Sequence, residues 1–327
     1  MFCQPRAAFC PRLQSIPDNI AWQRYAVMKL SRLLATSTAA LFLLAGNAHA
    51  DSVSVTEDSE NTSNDSAVTI TQVSDTLAPG NSATVYQAPG AHSAFNPVNI
   101  TQNGHNNSAT LNQGQGGAYI HSDNATLTQN VTGSGNSANI NQGVSGSSSF
   151  DTAAITQYNT GNNDSATIYQ GYEGSSSNDI AIIEQSGGTV LGNTATIWQG
   201  VNSGTSSGSE AIITQLGDGA TAGIYQGTAN GNASSFASII QSDNSTATIN
   251  QGTSGGGSSG DFATVSQSGG GNTATINQGV GGVSSGNFAS VTQFGNDTAT
   301  VDMLGNARVP VVITMAKNSP PVTIVEH

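Results

Sequence analysis

Residues 261–278 read DFATVSQSGGGNTATINQ. The stretch holds two copies of one seven-residue unit, Asp261 to Gln267 and Asn272 to Gln278: Ser, Asn or Asp; any residue; Ala; any; Ile, Leu or Val; any; Gln. Fixed residues at every second position describe a β-strand with one buried face, because side chains on a strand alternate sides. The inward face is Asp or Asn, Ala, an aliphatic and Gln; the outward face is Thr, Ser, Asn and occasional aromatics.

Outward from this pair the unit recurs, eighteen copies in all. The copies close on Gln72, Gln87, Gln102, Gln113, Gln129, Gln142, Gln157, Gln170, Gln185, Gln199, Gln215, Gln226, Gln241, Gln251, Gln267, Gln278 and Gln293, with Met303 ending the last. Four residues before each lies Ala, except at Val68 and Val98, and six before lies Ser, Asn or Asp, except at Ala220. Short loops such as 268–271 join strands within a pair, and longer Gly/Ser stretches such as 252–260 separate the pairs, giving nine two-strand units. From Gln102 on, equivalent positions lie 25 to 30 residues apart, a period typical of stacked repeats. We therefore expect an all-β fold, a β-solenoid (β-helix) with two strands per turn and about nine stacked units over residues 66–306. At about 4.8 Å per turn it is roughly 43 Å long.

A single unit cannot fold alone. Its two Ala and two aliphatic side chains contribute roughly 5 kcal/mol of burial, while ordering its residues costs on the order of 1–2 kcal/mol each. Stacked neighbours supply the rest: each strand pairs above and below, and identical Gln and Asn side chains form ladders of amide hydrogen bonds that satisfy the buried polar row. These ladder residues, with Asn107 and Asn272 among them, are the candidate self-assembly positions.

Composition excludes several functions. Only 8% of the 327 residues are charged. Five of the seven cations, Arg6, Arg12, Arg24, Lys29 and Arg32, stand in the first 32 residues, and only Arg308 and Lys317 follow. Nucleic acid as a partner needs clustered Lys and Arg, so it is excluded. Neither a catalytic constellation nor a metal or cofactor site stands out. His92, His105 and His121 lack a second His or a carboxylate at ligand spacing, and the Gly-rich loops lack the Lys of a phosphate loop. The aspartates that begin strands, Asp123, Asp151, Asp164, Asp179 and Asp261, are read as hydrogen-bonding residues rather than calcium ligands.

Residues 28–50, MKLSRLLATSTAALFLLAGNAHA, have a positive start, an apolar run and an Ala-His-Ala end, the pattern of a secretory signal peptide. The apolar run is too short to span a bilayer, and no later stretch is a transmembrane segment. Residues 1–27 read as an extension upstream of the true start. Cys3 and Cys10 lie within it, so the exported chain has no cysteine. Cleavage after Ala50 leaves 19 acids and two bases, a net charge of 2 − 19 = −17. Residues 51–65 form an acidic leader, and 307–327, with Pro310, Pro320 and Pro321, form a C-terminal tail that caps the stack or docks it to a partner.

The spacings Asn96-x5-Gln102-x4-Asn107-x5-Gln113 and Asp261-x5-Gln267-x4-Asn272-x5-Gln278 resemble the curlin repeat, Ser-x5-Gln-x4-Asn-x5-Gln, of curli fibre subunits. The resemblance covers about residues 66–303. It implies a secreted amyloid subunit, exported through the periplasm and an outer-membrane secretion pore of a Gram-negative bacterium. Its partner is itself, with a nucleator subunit, in extracellular fimbria-like fibres for adhesion and biofilm matrix. The chain departs from the family in carrying more units, in two longer intra-pair loops, and in an acidic rather than Gly-rich leader.

The outward faces offer two further expectations. Ile180, Ile182, Ile212, Phe236, Phe262 and Phe288 form an apolar stripe on the first strands, with the three Phe as a lateral contact between protofilaments. The second strands carry Thr-x-Thr pairs such as Thr246/Thr248 and Thr273/Thr275, which leaves open an alternative: a capped, monomeric solenoid that binds ice or a surface through its Thr face.

Overall fold

The computed structural model describes residues 51–327 except 58–66, 75–78, 88–92, 95, 116–118, 160–162, 188–190, 230, 254, 307–308 and 327. The upstream extension, the signal peptide, most of the acidic leader, His92 and Arg308 lie outside the described residues.

The described chain is all β, with parallel pairing throughout, wound into a solenoid of about nine turns. No strand pairs with its neighbour in sequence. Each pairs instead with the equivalent strand one turn away: Phe236–Gln241 lies between Glu210–Gln215 and Phe262–Gln267, Phe on Phe, Ala on Ala and Gln on Gln. The first strands of the units form a ten-stranded sheet and the second strands an eleven-stranded one. Between the two runs one hydrophobic core of Ala and Ile, Val or Leu. Ala at the inward position after the Ser, Asn or Asp of most strands keeps the two sheets close, and an aliphatic at the next fills the gap; Ile155, Ile168, Ile183 and Ile197 are wholly enclosed.

Two expectations need correction. The two long strands of a turn are joined by a third, short one, and these form an eight-stranded sheet. Ser147–Ser149, Ser175–Ser177 and Thr205–Ser207 are successive rungs of it. Gly after the ladder Gln makes the corner: Gly143, Gly171 and Gly200 have φ of 58°, 62° and 59°, a left-handed geometry that glycine adopts without strain. A Cβ on Gly171 would also fall on the carbonyl oxygen of Ser147.

The leader is not wholly separate from the stack. Ser52–Glu57 is a strand of the eleven-stranded sheet, with Val53 on Ala83, Val55 on Val85 and Glu57 on Gln87. The tail likewise adds two strands, Val311–Met315 on Phe288–Gln293 and Val322–Glu326 on Thr298–Met303. Pro310 and Pro321 immediately precede them, where a missing N–H does least damage to a ladder.

At both ends the inward Ala gives way to Val: Val53, Val68 and Val98 at the front, Val311 and Val322 at the back. The two Ala exceptions in the repeat are thus features of one end of the stack.

Candidate assembly interface

Two rows of Gln run the length of the core, and every amide in them points the same way. In the ten-stranded sheet Gln72 Nε2 donates to Gln102 Oε1 at 2.6 Å, Gln102 to Gln129 at 2.7 Å, Gln129 to Gln157 and Gln157 to Gln185 at 2.8 Å. The row continues through Gln215, Gln241 and Gln267 to Gln293. In the eleven-stranded sheet Gln87 donates to Gln113 at 3.0 Å, and the row continues through Gln142, Gln170, Gln199, Gln226 and Gln251 to Gln278. Many of these amides also reach a backbone carbonyl across the core, as Gln185 Nε2 does to Ser165 O at 3.1 Å. The Gln rows therefore tie the two long sheets together as well as stacking the turns.

The rows end differently at the two poles. Gln278 and Gln293 donate to the thioether sulfurs of Met303 and Met315, at 3.6 and 3.7 Å, weak acceptors. At the front, Gln72 Oε1 and Gln87 Oε1 are buried and have no hydrogen-bond partner among the described residues.

At the strand starts a second kind of ladder runs in the other sense. Asn or Asp Oδ1 accepts the backbone N–H of the equivalent residue one turn later: Asn107 N donates to Asn81 Oδ1, Asn193 N to Asp164 Oδ1, Ala220 N to Asn193 Oδ1. Asn272 belongs to this row too, accepting from Asp297 N at 3.3 Å. The opposite corner holds Asn96, Asp123, Asp151, Asp179 and Ser209, linked in the same way at 2.8 to 3.0 Å.

Asp123, Asp151 and Asp179 are thus three carboxyls on consecutive turns, all fully buried. Ser148 Oγ donates to Asp151 Oδ2 at 2.7 Å, and Ser176 donates to the same oxygen. Oδ2 of Asp123 and of Asp179 lacks such a partner. Burial, and then the neighbouring Asp151 charge, push Asp123 up to about 7 and Asp179 up to about 8. Burial raises Asp151 as well. Asp164, in the other corner, is raised to about 6, chiefly by burial. The sequence showed the aspartates but not their stacking, because the inward Ser that reaches them lies in the short third strand.

The outer faces carry rows in the same register. Phe236, Phe262 and Phe288 stack with centroids 4.7 and 5.0 Å apart. Ile180 shares their row but is separated from them by Glu210, and Ile182 and Ile212 belong to the adjacent row. The sequence-level stripe is therefore two short patches. A second aromatic file, Tyr169, Trp198 and Tyr225, stands edge to face on the other long sheet. Beside it run Thr194, Thr221, Thr246, Thr273 and Thr298 in one row and Thr196, Gly223, Thr248, Thr275 and Thr300 in the next.

Among the described residues no helix is long and apolar enough to cross a membrane. Comparison of the chain with the models of known families, with curated proteins and with solved structures returns no match.

Proposed function

We propose that this chain is a secreted structural subunit that stacks end to end into extracellular, curli-like amyloid fibres serving adhesion and biofilm matrix. The observation that carries the reading is the identity of every internal joint: each turn offers the next the same strand edges, the same core and the same Gln acceptors. At the front pole, among the described residues, those features are left open on the ten-stranded sheet. The outer edge of Val68–Val73 has no partner there and Gln72 Oε1 has no donor; this supports the edge as a template for another turn, since a row of unpaired strand groups is a ready site for a second chain. Self-templating is then the whole activity, with no enzyme chemistry and no cofactor. A nucleator subunit and an outer-membrane pore complete the proposal, with the fibre on the surface of a Gram-negative cell.

The in-register Thr rows and the Val and Met substitutions at the poles favour a second reading, a capped monomer that binds ice or a surface through its Thr face. Concentration and seeding separate the two. A polymeriser diluted from denaturant loses soluble protein after a lag that preformed fibres abolish. A capped monomer stays soluble with or without seeds, and that result would overturn the fibre.

A further inference from the structure

The two poles of the solenoid do not match in strand count. At the back, Val311–Met315 and Val322–Glu326 lie in one turn, each covering its own long sheet. At the front, Val68–Val73 and Ser82–Gln87 also share one turn, but Ser52–Glu57 sits one level further out on the eleven-stranded sheet alone. Among the described residues the ten-stranded sheet has no counterpart to it.

Joining two such molecules back to front therefore leaves a fault. With Ser52–Glu57 of one copy seated on Val322–Glu326 of the other, the edges of Val68–Val73 and Val311–Met315 stand two strand spacings apart, about 10 Å instead of about 4.8 Å. Removing one strand from the eleven-stranded sheet makes both sheets continuous.

The sequence identifies the strand to be removed. Residues 53–57 read VSVTE and residues 322–326 read VTIVE. Val53 lies on Ala83 and Val55 on Val85; Val322 lies on Ala299 and Ile324 on Val301, the same two core positions at the far pole. Glu57 and Glu326 both fall at the ladder position, which is Gln or Met in every other long strand. The front strand is thus a copy of the strand that a neighbouring molecule would bring.

We propose that Ser52–Glu57 is a self-docked stand-in for the C-terminal strand of a second copy, and that fibre joints form by strand exchange. The incoming Val322–Glu326 displaces it from Ser82–Gln87, and Val311–Met315 pairs with Val68–Val73. The eleven-stranded sheet loses one pairing and regains an equivalent one. The ten-stranded sheet gains a pairing it did not have, and that gain drives the joint. Until exchange, the docked strand covers half of the front edge and slows assembly, a protection of the kind that soluble β proteins need. The inference rests on the fibre reading.

The test is a lock. Ser54 and Thr84 are register partners on the outward face, and adjacent strands lie within disulfide reach. S54C and T84C are introduced together in the full chain with C3S and C10S. An interior lock, T248C with T275C, again register partners, is the control. The oxidised front lock is expected to lose elongation of wild-type seeds and to regain it on reduction, while the oxidised interior lock elongates normally. As a second variant, T56P, which removes an N–H that the parallel register directs at Ser82–Gln87, loosens the front strand and is expected to shorten the unseeded lag. Elongation by the oxidised front lock at the reduced rate, or a T56P lag as long as that of wild type, overturns the exchange while the fibre stands. If neither wild type nor T56P assembles with seeds, the fibre reading fails and the exchange with it.

Discussion

The buried row of Asp123, Asp151 and Asp179 makes folding dependent on acid. Free aspartate titrates near 3.8, whereas the folded chain holds Asp123 at about 7 and Asp179 at about 8. The folded state therefore binds protons that the unfolded state has released. The stability these groups support is full below about pH 4 and is lost progressively as pH rises to about 8. At about 1.4 kcal/mol per pH unit, the loss is about 4 kcal/mol from Asp123 and about 6 kcal/mol from Asp179. Either loss alone is a large share of the stability of an ordinary domain, about 5–15 kcal/mol. The variant D123N/D151N/D179N removes the titration of this row and keeps its ladder, since Asn96 and Asn287 already occupy it. Urea midpoints measured from pH 4 to pH 9 are expected to fall steeply for wild type and much less for the triple variant, which keeps the smaller contribution of Asp164. The reasoning is refuted if wild-type stability is flat or rises over that range, or if the triple variant keeps the wild-type slope.

Three further outcomes follow from the ladders and faces. Q185A leaves Gln157 without an acceptor and Gln215 without a donor in the buried row, so it is expected to cost roughly 2–5 kcal/mol in urea unfolding. Q293A, whose outer neighbour is only Met315, is expected to cost less. A195V forces a larger side chain between the sheets and is expected to destabilise by about 1–3 kcal/mol, although Val53, Val68 and Val98 are native at the same inward position near the front. Replacing Phe236, Phe262 and Phe288 together with Ser removes the stacked exposed file, so electron microscopy is expected to show fewer bundles at an unchanged rate of fibre growth; unchanged bundling would reject the lateral contact.

Much of the solenoid was legible because its inner face is so uniform. Ala and Gln at fixed spacing set both the period and the register, and no second arrangement places all of them inward. The short third strands were hidden because three residues of Gly/Ser sequence carry no apolar alternation; their inward residue, as at Ser148 or Ser176, is recognisable only beside the carboxylate it meets. The first strand escaped for a different reason. Val53 and Glu57 replace the Ala and Gln that define the unit, and what remains is the bare alternation of Val53 and Val55. Val311, Ile313 and Met315 show the same residual signal in the tail. The direction of the Gln rows has no signature in sequence, since an amide can face either way, and neither have the raised aspartate pKa values, which come from burial and from the spacing of carboxyls one turn apart.

The central claim, that turns of one molecule continue into the next, is tested most directly on the fibre. Wild-type protein diluted from denaturant and elongated from seeds should give fibres that diffract near 4.8 Å along the axis and about 10 Å across it. Their mass per length should correspond to one chain per about 48 Å, ten strand spacings. A protein that stays soluble in the presence of seeds, or fibres that lack the axial 4.8 Å repeat, would contradict the account.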